Sequence, residues 1–177
     1  MKKYRMNRRA FLEYSSRITA GGVLLSYLPG ASKKLTSIEG EIKVALVGCG
    51  GRGTCAASQA LEADPGVHLV AMADVFPDRV DECFKTLSEK YTGTNRINVN
   101  EETIFIGFDG YQKAIEMSDV VILTTPPGFR PLHFEYAISQ NKHVFMEKPV
   151  ATDVAEIKKV LSVGKTARQK KLNVVVG

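Results

Sequence analysis

The sequence has little cysteine, and its spacing suits neither a disulfide framework nor a metal site. The 177 residues include only Cys49, Cys55 and Cys83, an odd number with no C-x-x-C pair. This pattern argues against cysteine-rich secreted scaffolds and against the common zinc-binding spacings. We therefore predict three buried or partly buried thiols, with no disulfide and no metal ion.

The body of the chain also lacks an excess of either charge. The net charge of +5 comes from residues 1–32, which hold six basic side chains against one acid, while residues 33–177 contain eighteen of each. A nucleic-acid-binding domain needs a basic patch on its folded surface. The composition therefore argues against a nucleic-acid partner. We also find no internal repeat and no low-complexity segment.

Residues 1–32 are typical of a targeting segment. Arg8 and Arg9 stand directly before Ala-Phe-Leu, and a modest apolar stretch follows at 18–28. That stretch is too short to cross a hydrocarbon core of about 30 Å. Paired arginines in this context resemble the bacterial twin-arginine signal. We expect export to the periplasm by the twin-arginine machinery, followed by a linker at 33–40; the alternative is a basic arm, helical or disordered.

From Glu41 onward, predicted strands and helices alternate, which indicates a doubly wound α/β fold with a parallel sheet and helices on both faces. The expected domain spans 41–177. Strands are predicted at 42–47, 67–73, 103–105, 120–123, 143–146 and 172–176. Helices are predicted at 52–63, 77–90, 111–117, 131–139 and, after a cap at Asp153, up to 169. The polar stretch 91–100 is predicted to be a loop.

A glycine-rich turn joins the first strand to the first helix, with the sequence Gly48-Cys49-Gly50-Gly51-Arg52-Gly53. In a G-x-G-x-x-G turn of the Rossmann type, the first glycine allows the tight turn and the second lets the backbone approach a pyrophosphate. The third permits close packing of helix against strand. Free N–H groups at the helix start, aided by the helix dipole, bind phosphates. We predict cofactor contacts from Gly48, Gly50, Gly51, Arg52 and Gly53.

Asp74 lies 21 residues after Gly53, at the end of the second predicted strand. A carboxylate at this place accepts hydrogen bonds from the adenosine ribose hydroxyls. It also repels a 2′-phosphate, which favours NAD over NADP, although the nearby Arg79 is a possible partner for that phosphate. The alternative role for Asp74 is a helix cap ahead of Pro77.

Two blocks in the second half make the pattern more specific. Thr124-Thr125-Pro126-Pro127 follows the fourth predicted strand, and KHVFMEKPVA occupies 142–151. With the glycine turn, these blocks resemble the glucose–fructose oxidoreductase / inositol dehydrogenase (Gfo/Idh/MocA) family from Glu41 to Gly177. The resemblance implies an oxidoreductase that uses NAD or NADP. It would transfer a hydride to or from a hydroxyl-bearing carbon of a sugar or polyol.

The resemblance also implies roles for individual residues. Thr125 and Pro126 match the family loop that lies along the nicotinamide-side ribose and the pyrophosphate. Glu147 and Lys148 match the pair beside that ribose, and Lys148 is the candidate catalytic residue because a cation there orients an alcohol. His133 follows the Thr-Pro-Pro block where the family often has a histidine near the cofactor; a structural role is its alternative.

Family members continue into a second α/β domain that carries substrate contacts and the general base, and we expect a homo-oligomer for the full-length protein. Because this chain stops at Gly177, we expect the cofactor half of a site, no turnover by the chain alone, and exposed apolar surface near its end. Export of the folded protein further predicts a retained cofactor. Two alternatives stay open: an NAD-dependent glycoside hydrolase, which the complete Glu147-Lys148-Pro149 disfavours, and a non-catalytic dinucleotide-binding protein.

Overall fold

The computed structural model describes residues 40–177, so the predicted signal segment and all of the predicted linker except Gly40 lie outside the described residues. The strands of this part are β1 Ile42–Val47, β2 Val67–Asp74, β3 Ile104–Ile106, β4 Val120–Leu123, β5 His143–Met146 and β6 Val174–Val176. Its α-helices are α1 Gly51–Ala63, α2 Pro77–Lys90, α3 Gly110–Glu116, α4 Arg130–Ser139 and α5 Val154–Gln169. A short 3₁₀ helix, Glu101–Thr103, precedes β3.

All strands pair in parallel in one sheet, in the order β3-β2-β1-β4-β5-β6. This is the doubly wound order in which the chain reverses its winding direction between β1 and β4. The predicted fold class is therefore confirmed. In such a sheet the loops at the carboxyl ends of β1 and β4 part to form a crevice, and ligands bind there.

Alternating side chains of the central strands divide the core into two layers. Val44 and Leu46 pack in the layer that α1 and α2 cover, together with Ala57, Leu61 and Leu87. Ala45 and Val47 point the other way, into the layer covered by α3, α4 and α5. Because both faces are covered, β1 and β4 are almost continuously apolar, as buried parallel strands require.

The predicted loop 91–100 is partly ordered by pairing with β2. The Leu69 amide donates to the Arg96 carbonyl (2.9 Å) and the Asn98 amide donates to the Leu69 carbonyl (2.8 Å). The Arg96 guanidinium also donates to the Asp64 carbonyl (2.5 Å), just past the end of α1. α1 has no basic residue in its last turn, so Arg96 supplies a cation there from a distant part of the chain.

The sixth strand begins at Val174 instead of the predicted residue 172. The Leu172 amide donates to the Ala167 carbonyl (2.9 Å), and Lys171 adopts a left-handed conformation (φ 58°). Both features close the C-terminal turn of α5, so residues 170–172 belong to the helix end. The shorter strand still pairs with β5 through Val174, Val175 and Val176.

The three cysteines do not share one environment. Cys49 and Cys83 are buried and Cys55 is exposed, and all three are free thiols. The prediction of a buried or partly buried thiol is therefore wrong for Cys55, which lies on the solvent-facing side of α1. None of the helices between residues 40 and 177 is both long and apolar enough to cross a membrane.

The outer side of α5 and the edge strand β6 expose large apolar side chains. Val154, Ile157 and Leu161 lie along one face of α5, and Val175 and Val176 lie on β6; all five are exposed. Residues at i, i+3 and i+7 share a face of a helix, so the α5 residues form one stripe. The expected exposure of apolar surface near the end of the chain is present.

Candidate functional site

The glycine turn and the Thr-Pro-Pro loop meet at the point where the sheet reverses its order. Gly48 has a positive φ of 97°, and a Cβ there would lie 2.6 Å from the Thr125 amide nitrogen. The Thr124 hydroxyl donates to the Gly48 carbonyl at 2.6 Å. Only glycine satisfies both the left-handed turn and the close backbone approach. The first residues of the loops after β1 and β4 are therefore in direct contact.

Among the other glycines of the turn, Gly53 is tightly packed, whereas Gly50 and Gly51 have free space beside them. A Cβ on Gly53 would lie 2.0 Å from the Gly48 carbonyl oxygen, whereas Cβ atoms on Gly50 and Gly51 would meet nothing within 4 Å. Gly50 caps α1 without a side-chain hydrogen bond, and the first turn contains no acid. No side chain thus caps the start of this helix, which leaves its first N–H groups available to an anion.

The carboxylate of Asp74 is held against the glycine turn. Its Oδ2 accepts from the Cys49 amide (2.6 Å) and its Oδ1 accepts from the Phe76 amide (3.1 Å). The N-cap of α2 is Phe76, so the structure does not support the helix-cap alternative for Asp74. Asp74 instead connects the end of β2 to the turn after β1, at the carboxyl edge of the sheet.

A cavity of about 520 Å³ opens at this edge, and we call it the edge cavity. Of the predicted site residues, it is lined by Gly48, Gly50, Asp74, Thr125, Pro126 and His133. Its other walls include side chains that the sequence analysis did not select for cofactor contact: Phe76, Phe108, Tyr111, Phe129 and Arg130. Predominantly apolar walls with a few converging polar groups are typical of cofactor sites, and the volume suits part of a dinucleotide.

His133 forms part of the wall of the edge cavity and is buried. Its ring lies 4.2 Å from the Tyr111 ring, centroid to centroid, and is stacked with Phe129 at 6.2 Å. Its Nδ1 is 3.2 Å from the Thr125 hydroxyl. Burial lowers the pKa of His133 to about 4, so the imidazole is neutral near neutral pH. His133 therefore supports the Thr125 loop; contact with a cofactor remains a prediction.

Stability should depend on pH through His133. In the unfolded chain its pKa returns to 6.5, above the folded value of about 4, so the unfolded state takes up the proton first. The contribution is complete above pH 6.5 and is lost as the pH falls toward 4, by about 3 kcal/mol over the whole window. Urea unfolding at about pH 7 and about pH 5 should show a smaller pH effect in His133→Gln than in the parent. Equal pH effects would contradict this assignment.

The Glu-Lys-Pro block lies at the carboxyl end of β5. Glu147 is buried, and its amide donates to the Leu123 carbonyl of β4 (3.0 Å). Lys148 is exposed, its amide donates to the Gly177 carbonyl (2.9 Å), and the Lys148–Pro149 peptide bond is cis. Glu147 and Lys148 do not line the edge cavity; they lie beyond β4, where the second half of a dinucleotide would extend across the crevice.

Two arginines contact this block. The Nε and Nη2 of Arg52 lie 2.7 and 2.5 Å from Oε1 of Glu147. Arg130 is buried and its Nη1 donates to the carbonyls of Glu147 (2.8 Å) and Pro149. Sequence reasoning missed Arg130. An arginine at a helix start opposes the helix dipole, and this unfavourable placement was the available signal that it has a specific partner.

Residues 40–177 thus form a Rossmann domain whose glycine turn, acidic residue and edge cavity fit a dinucleotide. No group of three His, Cys, Asp or Glu side chains within this range is arranged to hold a metal ion. Residues 42–177 match the model of the family described as "Oxidoreductase family, NAD-binding Rossmann fold" (GFO_IDH_MocA). The chain belongs to this family and contains its NAD-binding domain. A comparison with curated proteins gave no significant match.

Solved structures with the same fold include scyllo-inositol dehydrogenase from Lactobacillus casei with bound NAD(H) and scyllo-inositol (24% identity, TM-score 0.57, 77% of this chain and 36% of that chain). Another is myo-inositol 2-dehydrogenase from Lactobacillus plantarum (20% identity, TM-score 0.60, 77% of this chain and 36% of that chain). A third is a mutant 3-ketoreductase from Actinomadura kijaniata in complex with TDP-benzene and NADP (23% identity, TM-score 0.55, 77% of this chain and 38% of that chain). The chain spans little more than a third of the length of each, and the likeness shows a shared fold.

Proposed function

We propose that this chain is the NAD-binding part of an oxidoreductase that transfers a hydride to or from a hydroxyl-bearing carbon of a sugar or polyol. The observation that carries the proposal is the arrangement of the site. The glycine turn and Asp74 lie on one side of the crevice, and Glu147 and Lys148 lie at the end of β5 on the other. The substrate class is supported by the inositol dehydrogenases that share the fold.

Within this proposal, each side of the crevice has a separate task. The N–H groups at the start of α1 bind the pyrophosphate, and Asp74 accepts hydrogen bonds from the adenosine ribose. When bound, NAD supplies the carbon that accepts or returns the hydride. Lys148 orients the substrate hydroxyl and stabilises the negative charge that develops on its oxygen during transfer. We assign the general base to a second domain, as the family resemblance implies.

The activity is tested with a protein that also contains the family's substrate domain, by incubating it with NAD and a panel of inositols and aldoses while NADH formation is followed. We expect NADH to form with at least one member of the panel. Release of sugar from aryl glycosides without net NADH would instead identify a glycoside hydrolase. Binding of NAD with neither reaction, in a protein that also contains the substrate domain, would identify a non-catalytic dinucleotide-binding protein.

We further propose that NAD is preferred over NADP because of the carboxylate of Asp74. Asp74→Asn removes the charge that repels a 2′-phosphate and weakens both the ribose contact and the hold on the Cys49 amide. We expect NADH to bind about tenfold more weakly and the ratio of NADH to NADPH affinity to fall. Asp78→Asn, at an exposed acid in the first turn of α2, is the matched control and should change neither. An unchanged ratio in Asp74→Asn would contradict the proposal.

We propose that the protein reaches the periplasm by twin-arginine export and carries its cofactor with it. The support is the pair Arg8 and Arg9 ahead of an apolar stretch. Arg8→Lys combined with Arg9→Lys should retain the protein in the cytoplasm, as measured by fractionation of expressing cells. Periplasmic protein at the parental level in the double variant would remove the export assignment.

A further inference from the structure

One buried carboxylate connects two separate loops of the crevice. The side chain of Glu147 is only 6% exposed, and a buried carboxylate is strongly destabilising unless it is paired. Its Oε1 accepts from both Nε and Nη2 of Arg52. Arg52 is in the first turn of α1, after β1, whereas Glu147 follows β5. Because β4 lies between β1 and β5 in the sheet, this ion pair spans the crevice.

The backbone on both sides of Lys148 is fixed from a third loop. Arg130, at the start of α4, donates from one nitrogen to the carbonyls of Glu147 and Pro149, the residues that flank Lys148. Burial lowers the pKa of Arg130, and the nearby carboxylate of Glu147 partly offsets this effect. Lys148 thus stands between two anchored carbonyls while its own side chain remains exposed.

The guanidinium nitrogens of Arg52 donate to the carboxylate of Glu147. The Arg52 side chain is about half exposed, and the hydrogen bond and charge of Glu147 raise its pKa. The N–H groups of α1 remain available for a pyrophosphate, so this helix start does not need the Arg52 side chain to bind one. Among residues 40–177, both Arg52 contacts go to Oε1, and Oε2 makes no hydrogen bond.

We propose that Arg52 is a positioning residue. Through Glu147, it holds the segment that carries Lys148 at a fixed place relative to the pyrophosphate turn, and Arg130 anchors the backbone of the same segment. The nicotinamide end of the cofactor then meets a preorganised surface, which lowers the cost of binding. The inference rests on the proposed function in so far as Lys148 faces the nicotinamide and the substrate.

Two ligands separate this role from direct phosphate binding. ADP shares the adenosine and pyrophosphate of NADH but lacks its nicotinamide half. Calorimetric titration of Arg52→Gln and Glu147→Gln should show NADH binding about fivefold weaker in each, with ADP affinity within about twofold of the parent. In the double variant the loss should be no larger than in either single variant, because one interaction is removed in all three.

Controls distinguish positioning from general damage. Arg52→Lys keeps the charge but offers a single donor nitrogen, so it should restore part of the NADH affinity. Glu135→Gln removes a more exposed ion pair of similar length, Lys159 with Glu135 at 2.6 Å between α5 and α4, and should leave both affinities unchanged. If Glu147→Gln does not fold, Arg52→Gln and Arg52→Lys still carry the test, since Arg52 is half exposed.

Three results would overturn the positioning role. One is an equal loss of ADP and NADH affinity in Arg52→Gln with no loss in Glu147→Gln, which makes Arg52 a phosphate ligand. Another is additive losses in the double variant. The third is unchanged NADH affinity in folded Arg52→Gln. The proposed function can fail separately. If the parent binds both ADP and NADH but the protein with its substrate domain shows no oxidoreductase activity, the proposed function is contradicted while the positioning role of Arg52 in NADH binding still stands.

Discussion

Gly53→Ala is expected to destabilise the domain, whereas Gly50→Ala should leave it folded and strongly weaken dinucleotide binding. A Cβ on Gly53 would lie 2.0 Å from the Gly48 carbonyl oxygen, so the backbone of α1 or of the turn has to move. Forced repacking of this kind costs about 2–4 kcal/mol. For a domain of this size the corresponding fall in melting temperature is on the order of 10 °C.

Gly50→Ala tests the other function of the turn. Its Cβ would meet no protein atom within 4 Å, so the free energy of unfolding should change by no more than about 0.5 kcal/mol. The same methyl group would occupy the space through which a pyrophosphate approaches the backbone. We expect NADH affinity to fall by about a hundredfold, measured by titration on the folded variant.

Gly164→Ala is the matched control for both glycine variants. Gly164 is in α5, and a Cβ there also meets nothing within 4 Å. Alanine is the better helix former, so we expect a gain of up to about 1 kcal/mol in stability and no change in NADH affinity. Parental NADH binding by Gly50→Ala, or parental stability of Gly53→Ala, would contradict the roles assigned to these two glycines.

Lys148→Met should reduce kcat for sugar or polyol oxidation by about two to three orders of magnitude in the protein that turns over. Lys148 is exposed, and within residues 40–177 its side chain makes no hydrogen bond, so folding should be unaffected. NADH affinity should stay within about threefold of the parent because the backbone groups and Asp74 bind most of the cofactor. Steady-state kinetics and NADH titration together measure both effects.

The matched control for this variant is Lys158→Met, which removes an exposed lysine from α5. It should leave kcat and NADH affinity at the parental values. A Lys148→Met protein with parental kcat would remove the proposed role of Lys148. A loss confined to KM would show that Lys148 contributes to substrate binding and not to stabilisation of the transition state.

Much of the fold could be predicted from the sequence because its signals are local. The apolar run of β1 ends at Gly48, and the apolar run of β4 is bounded by polar residues and by Thr-Pro-Pro. Each run can be recognised from a few neighbouring residues. The packing of Gly48 and Gly53 also follows from the spacing of the motif. The pairing of 96–98 with β2 was missed because it depends on a neighbouring strand and not on local pattern.

The site was predictable to a lesser extent. Motif positions such as Gly50, Asp74 and Thr125 do line the edge cavity. The aromatic walls were not predicted, because Phe108 and Phe129 lie outside any motif or periodic pattern. The contacts of Arg130 could not be predicted, since they require the start of α4 and the loop after β5 to meet at one edge of the sheet.

The pairing of Arg52 with Glu147 shows the same limit. The motif places Arg52 next to a phosphate site, and sequence reasoning therefore assigned it to the cofactor. Only the folded structure shows that Oε1 of Glu147, in the loop after β5, lies 2.7 Å from Nε of Arg52. The motif predicted the position of Arg52 in the chain and its place beside the glycine turn. The group that its guanidinium contacts depends on the fold.

Residues 40–177 are expected to hold a nicotinamide dinucleotide across the crevice between β1 and β4. The most direct measurement is a titration of the chain with NADH, following nicotinamide fluorescence in excess of that of the same NADH without protein. We expect a saturable rise that reaches one NADH per chain and is displaced by ADP. A signal equal to that of the same NADH without protein at every point, with a chain that is folded by circular dichroism, would contradict this expectation.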